Sequence, residues 1–270
     1  MILDKPKIKS KPIIRWAGSK RKLLPILLEN IPDHFERYVE PFCGSACLFF
    51  ELDCQKALLC DINFDLVNAL NEIKYNPDIR NDLVEISTSS EEYYRIRSID
   101  PTSLTNKERA IRFLYLNRYC FNGVYRTNSN GKFNVPKGTN TGGFPEEKVF
   151  KDTSKKLNSA KILVSTYNET LKKVKRNDFV YLDPPYSKSG RFTGEYGVGS
   201  FNSSEIENLK NALSEIDKKG AKFLLSYKFC EDTINLLKSN YLVKEISVKR
   251  HISGFKKGWN DEREIIVKNF

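Results

Sequence analysis

The 270-residue sequence contains no long apolar run, which argues against membrane and secreted classes of protein. No segment approaches the ~20 consecutive apolar residues that a membrane-spanning helix needs. The basic N-terminal segment is not followed by the apolar core of a signal peptide. We therefore expect a cytoplasmic protein that does not associate with membranes.

Cysteine and histidine are too few and too scattered to suggest a metal centre. The six cysteines form no CxxC pair, and only His34 and His251 could join them as nitrogen ligands. Reduced thiols are the expected state, and we expect no metal site. Two histidines so far apart in sequence also give little support to a Ser-His or Cys-His nucleophile.

Acidic residues are outnumbered by basic ones, 34 to 45, which gives a net charge of +11. Such a balance favours a polyanionic partner and binding that weakens with salt, although a solvated lysine-rich surface would have the same composition. Eight basic residues fall in one acid-free segment near the start: Lys5, Lys7, Lys9, Lys11, Arg15, Lys20, Arg21 and Lys22.

Apolar runs of strand length alternate with helical patterns over much of the chain. The alternation predicts an α/β fold with a doubly wound, mostly parallel, seven-stranded sheet of the Rossmann-like kind. The last two strands are expected to form an antiparallel pair. The predicted strands lie near residues 38–39, 57–60, 162–164, 179–182, 223–226, 246–248 and 264–267.

The alternation stops between about residues 76 and 153, which predicts a small insertion domain of helices and a hairpin. The clearest helix is predicted over 106–119. Asn130-Gly131 lies between two β-capable runs and predicts a hairpin with a type I′ turn, in which both central residues need a positive φ. The first helix of the chain is predicted over 20–31, because its leucines recur at helical spacing.

Three marked loops follow predicted parallel strands, where ligands bind in open α/β sheets. Residues 40–45 contain Gly44, Asp61 follows the next strand, and Asp183 begins Asp183-Pro184-Pro185-Tyr186. Asp61 comes 17 positions after Gly44. A carboxylate about this far along the chain from a glycine turn suits the ribose hydroxyls of an adenosine cofactor. The lack of GxGxxG argues against NAD, and Asp61 could instead be a helix N-cap.

Six segments spread over nearly the whole chain carry a resemblance to a known family. They are Arg15-Trp16-Ala17-Gly18-Ser19-Lys20, Glu40-Pro41-Phe42-Cys43-Gly44, Asp61-Ile62-Asn63, Leu116-Asn117-Arg118-Tyr119-Cys120-Phe121-Asn122-Gly123-Val124-Tyr125-Arg126, Phe133-Asn134-Val135-Pro136 and Asp183-Pro184-Pro185-Tyr186. Together they resemble a DNA adenine-N6 methyltransferase of the Dam type, with the segment order called the alpha group.

The resemblance implies S-adenosyl-L-methionine as methyl donor and double-stranded DNA as substrate. It implies a donor-binding catalytic domain of residues 1–75 and 156–270, with 76–155 recognising the target. The implied donor contacts are Trp16, Lys20, Glu40, Pro41, Phe42, Gly44, Ser45, Asp61, Ile62 and Asp183. The implied DNA contacts are Arg15, Phe121, Asn122, Arg126, Asn134 and Pro136, with Asn122 and Arg126 reaching bases and Phe121 wedging into the stack. The basic residues near the C-terminus add Arg250 as a candidate DNA contact.

The Asp-Pro-Pro-Tyr loop suits catalysis on an exocyclic amine, whose lone pair is delocalised into the ring. We assign the Asp183 carboxylate and the Pro184 carbonyl as acceptors for its two N–H groups, and Tyr186 as a ring that stacks on the base. No metal is required. The target base must be flipped out of the duplex at a cost on the order of a few kcal/mol.

Several of these residues have a plainer interpretation. Trp16 could be ordinary core, Phe121 a plug at a helix end and Arg126 a surface charge, although a guanidinium suits the O6/N7 edge of guanine. The basic residues around Arg250 could contact phosphates or be solvated.

The chain departs from many GATC-specific relatives after Pro136, where Lys137-Gly138-Thr139-Asn140 replaces a glycine followed by arginine and tyrosine. The recognition sequence therefore stays open, with GATC among the candidates. The resemblance allows a cognate restriction endonuclease that acts separately, and we expect a monomer.

Two other classes of function compete with this interpretation. One is a methyltransferase of RNA, protein or cytosine N4, and Asp rather than Asn or Ser before Pro-Pro-Tyr counts against the last two on the family analogy. The other is a DNA-binding protein without activity, which the retention of every donor loop disfavours.

Overall fold

A computed structural model describes residues 11–139, 141–185, 203–229, 231–251 and 259–270. Seven strands form one sheet: β1 (Arg37–Glu40), β2 (Ala57–Asp61), β3 (Ala160–Val164), β4 (Asp178–Leu182), β5 (Lys222–Lys228), β6 (Leu242–His251) and β7 (Trp259–Lys268). The helices in these ranges are α1 (Leu24–Leu28), α2 (Cys47–Glu51), α3 (Phe64–Tyr75), α4 (Ile79–Glu85), α5 (Ser90–Ser98), α6 (Asn106–Tyr119), α7 (Glu147–Leu157), α8 (Tyr167–Lys172), α9 (Ser203–Lys218) and α10 (Glu231–Leu237).

The sheet has the strand order β3-β2-β1-β4-β5-β7-β6. Strands β1 to β5 pair in parallel, whereas β7 pairs antiparallel with both β5 and β6. This confirms the predicted α/β fold and its mostly parallel seven-stranded sheet. The chain order reverses beside β1, between β2 on one side and β4 on the other, and such a switch point is where open α/β sheets bind ligands.

Strand β4 lies at the centre of the sheet and is buried on both faces. Phe179 and Tyr181 enter one hydrophobic cluster, whereas Val180 and Leu182 enter a second cluster on the other face. This is the burial that a continuous apolar run predicts for a central parallel strand. The carboxyl end of β4 is thereby held rigidly where Asp183 begins.

Most predicted helices are present, but the first is shorter than predicted. A 3₁₀ helix over Lys20–Leu23 precedes α1, which has Pro25 in its first turn. Proline has no N–H to continue the earlier hydrogen-bond ladder, so a new helix begins there. Helix α6 has the predicted bounds and begins with a capping box between Thr105 and Glu108.

The predicted hairpin is present as a short turn with a single bridge between Thr127 and Phe133. Its predicted turn type is wrong, because Gly131 has a φ of 72° while Asn130 keeps a negative φ. The Gly131 N–H donates to the Asn128 carbonyl at 2.9 Å, and the Asn128 N–H donates to the Lys132 carbonyl at 2.9 Å. This pattern is typical of a three-residue loop with a left-handed glycine.

The region predicted as an insertion contains α4, α5, α6 and the hairpin. Helix α6 packs against α3, and α7 crosses the predicted boundary at residue 155 to pack on α3 and β3. Among the described helices, none combines the length and the apolar character needed to span a bilayer.

Candidate active site

A cavity of about 330 Å³ lies at the carboxyl ends of β1, β2 and β4. It is the position that the switch point of the sheet predicts. Every residue that we expected to touch the donor lies in its wall: Trp16, Lys20, Glu40, Pro41, Phe42, Gly44, Ser45, Asp61, Ile62 and Asp183. Pro184 and Pro185 complete the wall beside Asp183.

Asp61 ends β2 and ties together two loops of the cavity. Its carboxylate accepts from the Gly44 N–H at 3.1 Å and from the Asn63 N–H at 2.9 Å. Desolvation raises the pKa of Asp61, and these N–H groups act in the opposite direction. The N-cap of α3 is Asn63, whose side chain accepts from the Leu66 N–H, so the alternative that Asp61 caps this helix is wrong.

Gly44 lets the backbone approach the indole of Trp16. It has a φ of +47°, and a Cβ built there would lie 2.6 Å from Cδ1 of Trp16. A contact this close leaves no room for a side chain, which explains why glycine occupies this position. On its other side, Trp16 stacks on Tyr125 with a centroid distance of 5.5 Å and an interplanar angle of 26°. Trp16 is therefore both a core-packed residue and a wall of the cavity.

Glu40 is a buried carboxylate at the end of β1, with a side chain only 3% exposed. Its Oε2 meets no donor at hydrogen-bond geometry among the described residues. Burial raises the pKa of Glu40 well above its usual value, although the Tyr38 hydroxyl on the same strand acts to lower the pKa of the carboxyl. A buried acceptor without a donor in a cavity wall is a position where a ligand's N–H or O–H group would fit.

Asp183 is held by a buried ion-pair cluster that sequence reasoning missed. Lys20 Nζ lies 3.0 Å from Asp183 Oδ1 and 3.4 Å from Glu264 Oε2. Lys20 and Glu264 are 4% and 1% exposed, respectively. Glu264 lies on β7, far along the chain, and carries no motif, so only the pairing of β7 with β5 could have indicated its position.

Other wall residues were also missed. Ser165, Thr166, Tyr167 and Asn168 follow β3 and close one side of the cavity, and Tyr167 stacks on Phe42 at 5.4 Å. Their place after a parallel strand is the signal that could have found them.

Two further wall residues, Cys47 and Tyr181, lie deep in the cavity. Burial raises the pKa of the Cys47 thiol to about 11, which leaves it protonated and unreactive at neutral pH.

A second cavity of about 590 Å³ shares the segment from Trp16 to Lys20 with the first. Its wall also includes Asn122, Gly123 and Glu264. The segment from Trp16 to Lys20 therefore separates two spaces, one at the switch point of the sheet and one beside the loop that leads into the hairpin.

Five of the residues expected to contact DNA lie on this loop and on the hairpin. Phe121 is 49% exposed and Asn122 is exposed with a φ of 55°. Arg126 Nε donates to Asn134 Oδ1 at 2.9 Å, which joins the two sides of the hairpin. The Pro136 carbonyl accepts from the Phe121 N–H at 2.9 Å.

Arg15 links the N-terminal part of the described chain to α6 and to the segment that follows it. Its guanidinium donates to the backbone carbonyls of Arg118 and Thr141, and its N–H donates to Asn117 Oδ1 at 2.9 Å. Tyr186 and the side chain of Arg250 lie outside the described part of the chain.

The fold and the cavity are those of an α/β protein with a ligand site at the switch point of its sheet, where Asp183 and Pro184 line the wall. Residues 16–253 match the model of the D12 class of N6 adenine-specific DNA methyltransferases. This chain belongs to that family, so it is a DNA adenine methyltransferase and requires a methyl donor.

Individual relatives agree with the family match. The chain is 34% identical to the type II methyltransferase M1.LlaDCHI of Lactococcus lactis subsp. cremoris, over 100% of this chain and 99% of that protein. It is 31% identical to the type II methyltransferase M.MjaIII of Methanocaldococcus jannaschii, over 90% and 93% of the two chains. It is 32% identical to the DNA adenine methylase of Haemophilus influenzae, over 98% and 93%.

Proposed function

We propose that this enzyme transfers a methyl group from S-adenosyl-L-methionine to N6 of an adenine flipped out of a short, specific double-stranded DNA sequence. The observation that carries the proposal is the shared wall of one cavity. Asp183 and Pro184 lie there together with the loop that contains Gly44 and with Asp61. Donor-binding and amine-binding groups therefore face the same space.

The cavity fits this donor in chemistry and in size. Its volume of about 330 Å³ lies within the usual range of small-molecule sites. The Asp61 carboxylate suits the ribose hydroxyls, and the unpaired Oε2 of Glu40 suits the ammonium group of the amino-acid end. Ile62, 59% exposed, and Phe42 supply apolar surface for the adenine ring. When bound, the donor supplies a methyl group on a positively charged sulfonium.

Asp183 and Pro184 would prepare the target amine. Pro184 and Pro185 fix φ and lack N–H groups, so the loop keeps its carbonyl oxygens available as acceptors. The Asp183 carboxylate would accept one N–H of the adenine amine and the Pro184 carbonyl the other, which withdraws the lone pair from the ring. The negative charge of Asp183 would also offset the positive charge that appears on the nitrogen.

The loop and hairpin of residues 121–136 would recognise the target. Arg126 would read a guanine edge, while Asn122, Asn134 and Pro136 lie beside it on the same segment. Phe121 is exposed enough to enter the base stack and support flipping.

Contacts to the DNA backbone would complete the complex. We assign Arg15 and Arg250 to phosphate contacts, in keeping with the net charge of +11. Tyr186 would stack on the flipped base.

The relatives suggest a biological setting. Because the first two are named as type II methyltransferases, we infer a cognate restriction endonuclease that acts separately on the same sequence. We further infer that the enzyme works in the cytoplasm as a monomer.

Methylation of unmodified genomic DNA by the purified enzyme tests the proposal. With S-adenosyl-L-methionine, mass spectrometry should detect N6-methyladenine, and sequencing should place it in one short motif. Asp183→Asn should lower kcat by about 10²–10³-fold, because the substituted amide loses the charge aimed at the reacting nitrogen.

DNA binding is the control for that variant, and much of the DNA affinity should remain. Unchanged turnover in Asp183→Asn would refute its assigned role. Methyl groups found on cytosine, or on RNA in preference to DNA, would refute the proposed acceptor.

A further inference from the structure

We propose that Glu264 is a positioning residue for methyl transfer, acting on Asp183 through the ammonium of Lys20. The inference rests on the proposed function of Asp183. Glu264 comes from β7, the antiparallel strand inserted next to β5, and lies outside every motif that marks the donor and target loops. It nevertheless lies in the wall of the second cavity, beside the segment from Trp16 to Lys20.

The geometry places one cation between two carboxylates. Lys20 Nζ lies 3.0 Å from Asp183 and 3.4 Å from Glu264. Both Lys20 and Glu264 are almost fully buried, so water screens their interaction weakly. Ser226 on β5 is also buried, and its hydroxyl lies 3.5 Å from Glu264 Oε2. A chain of polar contacts thus runs from the strands of the sheet to the reacting carboxylate.

Two anchors give the ammonium a fixed position. A lysine side chain has several rotatable bonds, and without Glu264 beside it the ammonium could move over both oxygens of Asp183. It would then compete with the target amine for them. Because Glu264 attracts the same ammonium from the other side, Lys20 stays at Oδ1 of Asp183.

The charge of Glu264 also matters for the reaction. One ammonium and two carboxylates give the three groups a formal net charge of −1. This charge opposes the positive charge that passes to the adenine nitrogen during methyl transfer. Without Glu264 the remaining pair would be neutral, and that stabilisation of the transition state would be lost while substrate binding persisted.

The charges around Asp183 come from several elements of the fold. Apart from Lys20 and Glu264, the titratable groups of the described residues that interact electrostatically with it include Glu40 at the end of β1, Cys47 on α2 and Tyr181 on β4. Burial raises the pKa values of the Cys47 and Tyr181 side chains, so both stay neutral at working pH. Removal of the charge at Glu264 is therefore expected to change the field at Asp183 directly.

The first test is Glu264→Gln, which keeps the shape of the side chain and removes its charge. We expect kcat to fall about 10- to 100-fold, with KM for DNA and Kd for the donor within about twofold of wild type. The acid limb of the pH profile of kcat should move to lower pH, because Asp183 ionises more readily without a second carboxylate nearby. A purely structural role would not move that limb.

Ile266→Val is the matched control. Ile266 is buried on the same face of β7, two residues along, and the substitution removes one methyl group without changing charge. Its kcat and pH profile should equal those of wild type.

A second variant addresses the route through Lys20. In a Lys20→Met background, Glu264→Gln should lower kcat less than it does in the wild-type background, because only the direct effect of its charge remains to be lost. Equal loss of kcat from Glu264→Gln in both backgrounds would overturn the proposed route. If Glu264→Gln does not fold, Glu264→Asp is the alternative. It keeps the negative charge, but its side chain is one methylene shorter, so the carboxylate lies farther from Lys20. Wild-type kcat in Glu264→Asp would overturn the need for contact.

The two proposals fail in different ways. A wild-type enzyme that places no methyl group on adenine contradicts the proposed function itself. A wild-type enzyme that methylates adenine, with a Glu264→Gln variant of equal kcat and unchanged pH profile, contradicts only the role of Glu264.

Discussion

Gly44→Ala should weaken donor binding because the added methyl group displaces Trp16. The new Cβ would lie 2.6 Å from Cδ1 of the indole, whereas ordinary contact begins at 3.4 Å. The ring must therefore retreat by roughly 0.8 Å, a gap that forfeits about a quarter to a half of the contact energy of the facing atoms. The retreat also presses the indole against Tyr125, on which it is stacked.

The substitution has two energetic effects, which separate experimentally. A left-handed alanine costs about 1–2 kcal/mol, but free and donor-bound enzyme bear this cost equally, so it lowers Tm and not affinity. The displaced indole adds a further loss of Tm, because it presses on Tyr125, and it also lowers affinity for the donor. A loss of about 1–1.5 kcal/mol corresponds to a Kd for the donor about tenfold higher.

Calorimetry with S-adenosyl-L-methionine measures the second effect, and Gly131→Ala is the matched control. Gly131 has a φ of +72° with no atom within 4 Å of its added Cβ, so its substitution introduces backbone strain without displacement. Both variants should lose Tm, Gly44→Ala by more than Gly131→Ala because of the displaced indole, and only Gly44→Ala should lose affinity. A donor Kd unchanged in Gly44→Ala would refute the inference that Trp16 forms part of the donor site.

Three further substitutions are informative. Arg126→Ala should relax base choice at one position by about 1–3 kcal/mol, and Asn134→Ala should relax the same position because Asn134 holds the Arg126 Nε. The double variant should match Arg126→Ala, and a loss that is uniform over all DNA sequences would make Arg126 a phosphate contact instead. Glu40→Gln should raise Tm of the donor-free enzyme at pH 7, since burial raises the pKa of Glu40 and the fold binds its proton more tightly than the unfolded chain does. That advantage should shrink as pH falls toward the usual carboxyl pKa, and a Tm difference independent of pH would contradict it.

Much of the fold and the cavity could be predicted because local chemistry and position coincide there. Apolar runs with loops at their carboxyl ends identified the strands, and Gly44, Asp61 and Asp183 follow three of them. Glycine, carboxylate and proline each serve a local requirement that is visible in the sequence. The family resemblance then supplied roles for these residues that no spacing could give.

What the sequence could not indicate are contacts between distant elements. Glu264 reaches Lys20 only because β7 inserts between β5 and β6, and a strand order is not written in any single segment. The guanidinium of Arg15 donates to backbone carbonyls more than a hundred residues away, which its basic character gives no reason to expect. The turn at Gly131 also depends on register, because one residue of shift exchanges a type I′ turn for a longer loop.

The position of Trp16 is expected to couple the binding of the methyl donor to the binding of DNA. Its indole touches the backbone at Gly44, in the loop assigned to the methyl donor. It also stacks on Tyr125, which precedes Arg126, the residue assigned to read a base. A bound methyl donor that immobilises the indole should also order Tyr125 and the hairpin that carries Arg126. Cognate DNA and methyl donor should therefore strengthen each other's binding. Thermodynamic reciprocity makes the reinforcement equal in both directions.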